Sequence, residues 1–320
     1  MAIIETRGLS KSFKSRRGVV EAVKGVDMRV DEGEIFGFLG PNGAGKTTTM
    51  RMLSTLMQPT GGQATVAGYD LLREPAKVRE NIGYVSQAGG VDITMSGREN
   101  LILQARLYRV DQATAKTRAQ ELIVALQMED FADRFAKTYS GGQKRRLDIA
   151  LGMAHRPPLL FLDEPTTGLD PQSRAHLWEE VRKLRNEGTT IFLTTHYLDE
   201  ADALCDRLCI IDNGVIVAEG TPDTLKHQVA GDVVTLGLDT RNGAIMQAQA
   251  LLGKLSFVRE VQVDKDILRL YVERGETALP QILRALDSAD IVLQTIALAR
   301  PSLDDVFLRQ TGRSLREEAA

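Results

Sequence analysis

Compact apolar runs alternate with longer stretches of helical period along most of this chain. Residues 34–39, 82–87, 159–162 and 189–194 are short, rich in Ile, Leu, Val and aromatic side chains, and predict buried strands. Helices are predicted from residue 48, over 144–154 and over 173–186, the last two stopped by Pro157-Pro158 and Gly188. Strands alternating with helices predict a mainly parallel sheet covered on both faces. Nearer the start, residues 2–30 predict antiparallel strands with a turn at 15–18, and Gly61, Gly62 and Gly68 punctuate further strands. From residue 96 to 135 the helical period sets Leu101, Ala105, Leu107, Leu122, Ile123 and Leu126 on apolar faces, predicting a helical insertion over about 96–155 between two sheet-forming halves.

Past Gly220-Thr221-Pro222 the pattern changes. Strand 233–238, helix 244–254, strands 258–263 and 267–272, helix 278–286 and strand 291–299 give the order of a ferredoxin-like arrangement. The chain is therefore expected to be α/β, with a first domain over 1–225 and a small α+β domain over 231–312, followed by a frayed tail at 313–320. The stretch 301–308, apolar side chains beside acidic ones, is expected to form a dimer contact.

Composition narrows the function classes. With 320 residues, 43% hydrophobic content and a formal charge of -3, the chain has room for a sizeable core and offers no general attraction for nucleic acid or anionic lipid. No apolar run approaches the roughly 18 to 20 residues that span a bilayer, and residues 1–5 lack the features of a signal peptide, so a cytoplasmic location is expected. Cys205 and Cys209 would share one helical face, but 206–212 looks like a strand entering a turn; buried thiols without a metal or disulfide are expected.

The candidate chemistry lies in five motifs. Gly40-Pro41-Asn42-Gly43-Ala44-Gly45-Lys46-Thr47 matches a phosphate loop, in which small residues let backbone N–H groups turn inward around a polyphosphate. Lys46 adds a charge at the β- and γ-phosphates, the Thr47 hydroxyl can ligate magnesium, and a helix N-terminus follows. At 159–164 an apolar strand ends in Asp163 and Glu164; Asp163 suits a magnesium shell and Glu164 a general base, the rival being a solvated strand-end pair. Tyr139-Ser140-Gly141-Gly142-Gln143 precedes a helix and supplies further donors to phosphate, although Ser-Gly-Gly is also an ordinary cap. Gln87 sits at a strand end, and His196 follows a strand, where a histidine is often only structural.

In this order the residues resemble the ATP-binding cassette family of P-loop NTPases, over roughly residues 3–225. The resemblance implies that Lys46 and Thr48 bind phosphate, that Thr47, Gln87 and Asp163 hold magnesium, that Glu164 activates water and that His196 holds the γ-phosphate and transition state. It also implies that Phe13 stacks on adenine, with a core phenylalanine as rival, and that Asp170 in Thr167-Gly168-Leu169-Asp170 communicates across a dimer, with a turn aspartate before Pro171 as rival. In that family two cassettes pack head to tail, so that Ser140 to Gln143 of one would close over ATP on the phosphate loop of the other. The first signature position, usually leucine, is Tyr139 here.

A narrower resemblance, to the daunorubicin-resistance type of bacterial drug exporter ATPase, rests on Leu198-Asp199-Glu200-Ala201-Asp202, residues 94–101 and residues 301–308. It implies an ATP-hydrolysing export subunit, using ATP and Mg2+, peripheral on the cytoplasmic face of the membrane. Its expected partners are a membrane permease, seated near Gln87 and the helical insertion, and a second copy of the chain. Nucleic acid is not expected; the alternative is a soluble cassette ATPase acting on nucleic acid or ribosomes.

Overall fold

The structure, a computed structural model, describes residues 1–15, 18–229, 231–238, 244–264, 267–299, 302–312 and 315. The chain divides into two compact units, Met1–Thr221 and Pro222–Glu317.

The first unit begins with β1 (Ala2–Ser15) and β2 (Gly18–Asp31), a long antiparallel pair interrupted by register shifts. Arg16 and Arg17 of the turn expected at 15–18 lie outside the described residues. Next come β3 (Ile35–Leu39), α1 (Lys46–Leu53), β4 (Gly61–Val66), β5 (Tyr69–Asp70), α2 (Pro75–Glu80) and β6 (Ile82–Val85). The insertion is built from α3 (Gly97–Leu107), α4 (Gln112–Ala125), a short 3-10 turn (Ala136–Thr138) and α5 (Gly141–Gly152). Then follow β7 (Leu159–Asp163), α6 (Pro171–Asn186), β8 (Thr190–Thr195), α7 (Leu198–Leu204), β9 (Arg207–Asp212) and β10 (Val215–Gly220).

Two sheets result. β2-β1-β4-β5 is antiparallel, whereas β10-β9-β3-β8-β7-β6 is parallel except for the β10–β9 pair. Strands β3, β7 and β8 are buried at every position, which is why they lack polar alternation. Phe192 is their centre: its ring lies 5.7 Å from Phe36, 5.7 Å from Phe38 and 5.5 Å from Phe161. Of the residues expected on apolar helical faces, Leu101, Ala105, Leu122, Ile123 and Leu126 are buried, but Leu107 is 69% exposed. Leu107 is the last residue of α3, where the apolar face has run past its packing partners.

The second unit adds α8 (Pro222–Val229), β11 (Asp232–Leu238), α9 (Ala244–Leu252), β12 (Val258–Asp264), β13 (Ile267–Val272), α10 (Gly275–Ser288), β14 (Leu293–Ala299) and α11 (Leu303–Thr311). Its sheet is antiparallel in the order β12-β13-β11-β14, the ferredoxin-like order. The division from the first unit falls at Pro222 rather than after residue 225, because α8 packs on α11. The motive for a dimer contact at 301–308 also disappears: Leu303, Val306 and Phe307 are buried, leaving Leu308 as the exposed apolar side chain, and Pro301 lies outside the described residues. The tail at 313–320 lies outside them as well, apart from Leu315.

Candidate active site

Four of the five motifs are brought together by strand order. β3, β8, β7 and β6 lie side by side and parallel, with Leu39 opposite Thr195, Asp163 opposite Thr194, and Val85 opposite Leu162. Their carboxyl ends therefore deliver, in spatial order, the phosphate loop, His196, the Asp163-Glu164 pair and the Gln87 loop to a single edge, where open parallel sheets receive ligands.

The loop from Gly40 to Gly45 leaves β3 and turns into α1. Gly45 has φ 108, and a Cβ there would lie 2.5 Å from the Ala22 carbonyl, so only glycine fits. Lys46, buried, donates to the carbonyls of Gly40 at 2.8 Å and Pro41 at 3.0 Å, and its Nζ lies 3.4 Å from Glu164 Oε1. Burial lowers its pKa, and Glu164 opposes that. Thr47 Oγ1 donates to Asp163 Oδ1 at 3.1 Å; Thr48, next on α1, is partly buried.

Glu164 is the hub. It is a non-glycine residue with φ 45, and its N–H donates to the Thr194 carbonyl at 3.1 Å. Its Oε2 accepts from Gln87 Nε2 and from Thr167 Oγ1, each at 3.3 Å. His196 Nδ1 lies 3.3 Å from the same oxygen, within ion-pair reach though without hydrogen-bond alignment. The His196 contact is the largest cause holding the Glu164 carboxyl below its ordinary pKa; burial opposes it and Lys46 adds to it. The carboxylate at the strand end is therefore ionised and free of a proton, although the donors around it lower its basicity.

Thr47 Oγ1 and Asp163 Oδ1, 3.1 Å apart, are oxygen donors of the kind a hard cation takes, and Gln87 carries an amide oxygen on the neighbouring loop, so the donor chemistry fits magnesium. Among the described residues no cluster of three or more His, Cys, Asp or Glu could hold a metal.

The fifth motif stands apart. Ser140 caps α5 in a reciprocal capping box with Gln143, its Oγ accepting from Gln143 N at 3.3 Å while Ser140 N donates to Gln143 Oε1 at 3.0 Å. Tyr139, in the usual leucine position, is buried; its hydroxyl donates to the Phe131 carbonyl at 2.7 Å and accepts from Gly97 N at 3.1 Å, tying the turn to α3. Ser140, Gly142 and Gln143 line a cleft of about 290 Å³ with Ser173 and Leu177 of α6, and no phosphate-loop residue lines it. Gly141 begins α5 and has open space where a side chain would lie. Asp170 caps α6, accepting from Ser173 N at 3.0 Å and Ser173 Oγ at 2.6 Å, with Pro171 at the first helical position. Phe13 is 39% exposed on β1 with Lys11 over its ring, so it is not a core residue.

Cys205 and Cys209 are both buried and unpaired by disulfide, on either side of the α7–β9 junction. Several site residues escaped the sequence reading. Thr194 Oγ1 donates to Asp163 Oδ1 at 2.6 Å, and Arg145 donates to main-chain carbonyls around Glu164. Arg145 and Asp148 stand on the same helical face as Ile149 and Gly152, and charge inside an apolar period was the available signal.

Comparison with known proteins decides the family. Residues 23–167 match the ABC transporter family model, and residues 220–311 match the model of the ATP-binding protein DrrA1-3-like C-terminal domain. The chain is 44% identical over 305 residues to the daunorubicin resistance ATP-binding protein DrrA2 of Streptomyces coeruleorubidus, covering 95% of this chain and 94% of that one. The chain belongs to the ATP-binding subunits of ABC transporters, in the daunorubicin-resistance group. It is also 37% identical over 311 residues to the linearmycin resistance ATP-binding protein LnrL of Bacillus subtilis, covering 96% and 99% of the two chains. The solved ATP-binding cassette MJ0796, a dimer in a post-hydrolysis state bound to ADP and Pi, superposes with a TM-score of 0.63 at 26% identity, over 68% of this chain and 98% of that one. As a member of this family the chain is an ATPase, the ATP-binding subunit of an efflux-type transporter. Among the described residues no helix is long and apolar enough to cross a membrane.

Proposed function

We propose that this ATPase works through a composite pocket, with two copies facing head to tail on the cytoplasmic face of the membrane and driving a permease that exports drug-like compounds. The observation that carries the reading is the separation within one chain: the capped turn at Ser140 and the phosphate loop open into different places, and the Ser140 cleft includes no phosphate-loop residue. A second copy would supply Ser140, Gly142 and Gln143 to the triphosphate held by Gly40 to Thr48. The names of the relatives, for daunorubicin resistance and linearmycin resistance, favour export of antibiotics.

In this reading the loop N–H groups and Lys46 bind the phosphates, and Phe13 offers its exposed face to the adenine. Lys46 leaves the Gly40 and Pro41 carbonyls to do so. Thr47, Asp163 and Gln87 would hold magnesium, which when bound neutralises charge developing on the phosphates. Glu164 accepts a proton from the attacking water, while His196, beside the same carboxylate, orients it and meets the γ-phosphate. Asp170, at the N-terminus of α6 beside the Ser140 cleft, reaches across to the partner. Closure of the pair would be passed to the permease through Gln87 and the helical insertion.

Mixing decides the matter. A Lys46→Ala chain and a Ser140→Arg chain should each be inactive alone, and their mixture should recover activity through the one pocket left intact per heterodimer. Full activity in a strictly monomeric preparation, or no recovery on mixing, overturns the composite pocket. The alternative, an ATPase acting on nucleic acid, would instead show copurifying nucleic acid and no membrane partner.

A further inference from the structure

Arg145 is a charged residue on the inward side of α5, only 7% exposed. A buried guanidinium is costly unless its donors are satisfied, and three of them reach main-chain carbonyls: Nε to Pro165 at 2.7 Å, Nη1 to Ser86 at 2.8 Å and Nη2 to Asp163 at 3.2 Å. These carbonyls bracket the groups on which hydrolysis depends. Ser86 precedes Gln87, while Asp163 and Pro165 lie on either side of Glu164. Nearly one turn along the same helix, Asp148 Oδ1 accepts from Gly90 N at 2.7 Å, so α5 holds the Gln87 loop at both ends.

The other end of α5 is the Ser140 turn. Arg145 lies little more than one helical turn inside it, close enough that a shift of the helix start must move the guanidinium with it. The planar fork cannot follow one carbonyl without changing its bonds to the others.

The geometry points to Arg145, with Asp148 beside it, as a positioning residue that makes hydrolysis at a chain's own phosphate loop depend on the nucleotide its partner presses against that same chain's Ser140 turn. This inference rests on the composite pocket. Capture of the partner's phosphates at Ser140 sets α5, and α5 sets Gln87 and Glu164 together.

The test uses the full chain with Arg145→Lys, Arg145→Gln and Asp148→Asn, measuring hydrolysis against ATP concentration, ATP binding and melting temperature. Arg145→Gln should lower kcat by about tenfold or more, keep KM for ATP within about threefold and bring the Hill coefficient towards 1. Arg145→Lys should fall between it and the parent, since one ammonium replaces a fork. Asp148→Asn, nearly isosteric, should lower the Hill coefficient with a smaller loss of kcat, and it carries the test if Arg145→Gln fails to fold. A purely structural role would lower melting temperature while leaving the Hill coefficient of the folded protein unchanged; that result, or variants with parental kcat and cooperativity, overturns the assignment. A parent protein that hydrolyses ATP as a monomer without cooperativity would remove the composite pocket itself, whereas a cooperative dimeric parent with an equally cooperative Arg145→Gln removes only the relay.

Discussion

The two units of this chain bury different things. Among the described residues every buried polar or charged side chain, from Thr6 and Lys46 to Glu200 and Asp212, belongs to the first unit. The second unit closes its core with Val234, Leu236, Leu238, Leu252, Leu268, Leu270, Ile282 and similar aliphatic residues. Burying charge costs free energy unless partners repay it, so charge persists where a site needs it. In the first unit Lys46, Asp163 and Arg145 are buried around the carboxyl ends of parallel strands, while Glu180 pairs with Arg146 and Glu200 accepts from Trp178 among the helices. The second unit packs an antiparallel sheet over an aliphatic core. The contrast teaches that activity resides in the unit that accepts unfavourable burial.

The largest test of this contrast is Glu164→Gln. Steady-state hydrolysis should fall by about 10² to 10⁴-fold, as loss of a general base predicts, with ATP binding retained. Unchanged turnover would remove Glu164 as the base.

A cavity in the other unit should do the opposite. Leu236→Ala, at a fully buried position of β11, should cost about 2–5 kcal/mol in the unfolding transition of the second unit, measured by denaturant titration, while ATPase activity stays within about twofold. Loss of activity in step with that transition would show that the two units are not separable in function.

Within the first unit, a part-buried titratable group can be read by pH. His155 stacks on Tyr108 at 3.6 Å and has Nε2 3.0 Å from the Ile82 carbonyl; burial lowers its pKa from 6.5 to about 4. The unfolded chain therefore takes up a proton between pH 6.5 and 4 that the folded chain refuses, and stability falls as pH falls through that window. His155→Gln should reduce the slope of stability with pH there by up to about 1.4 kcal/mol per unit, measured by urea titration at several pH values. Parallel curves for the two proteins would refute it.

The smallest effect is expected at Phe13. Because the ring is already exposed, Phe13→Ala should leave melting temperature unchanged and raise KM for ATP by about threefold to tenfold, the worth of one aromatic contact. A loss of stability with unchanged KM would assign the ring to packing.

Much of this was legible along the chain. The run 34–39 followed by glycine-rich loop and Lys46 could be read because a phosphate loop is local: strand, turn and helix start are contiguous. The order of elements from 233 to 299 was readable for a similar reason, since each strand and helix carries its own period. Helix α11 was not, because its apolar residues cover α8, far away in sequence, and so looked like an exposed contact. Phe13 also needed the structure, since an aromatic residue on an alternating strand does not reveal which of its faces is covered. Arg145 and Thr194 were missed because their acceptors are main-chain carbonyls and a carboxylate on other elements, which no local pattern records.

The amino-acid sequence by itself determined the chemistry: which backbone donors, ammonium, carboxylates and imidazole are present, and that their spacing suits a nucleotide. Those are properties of residue types and short contiguous segments. The tertiary structure alone decided that Gln87, Glu164 and His196 converge while Ser140 does not, because convergence depends on β3, β8, β7 and β6 lying next to one another in an order unlike their order in the chain. Strand adjacency is fixed by long-range packing around Phe192 and its neighbours, and no local pattern encodes it.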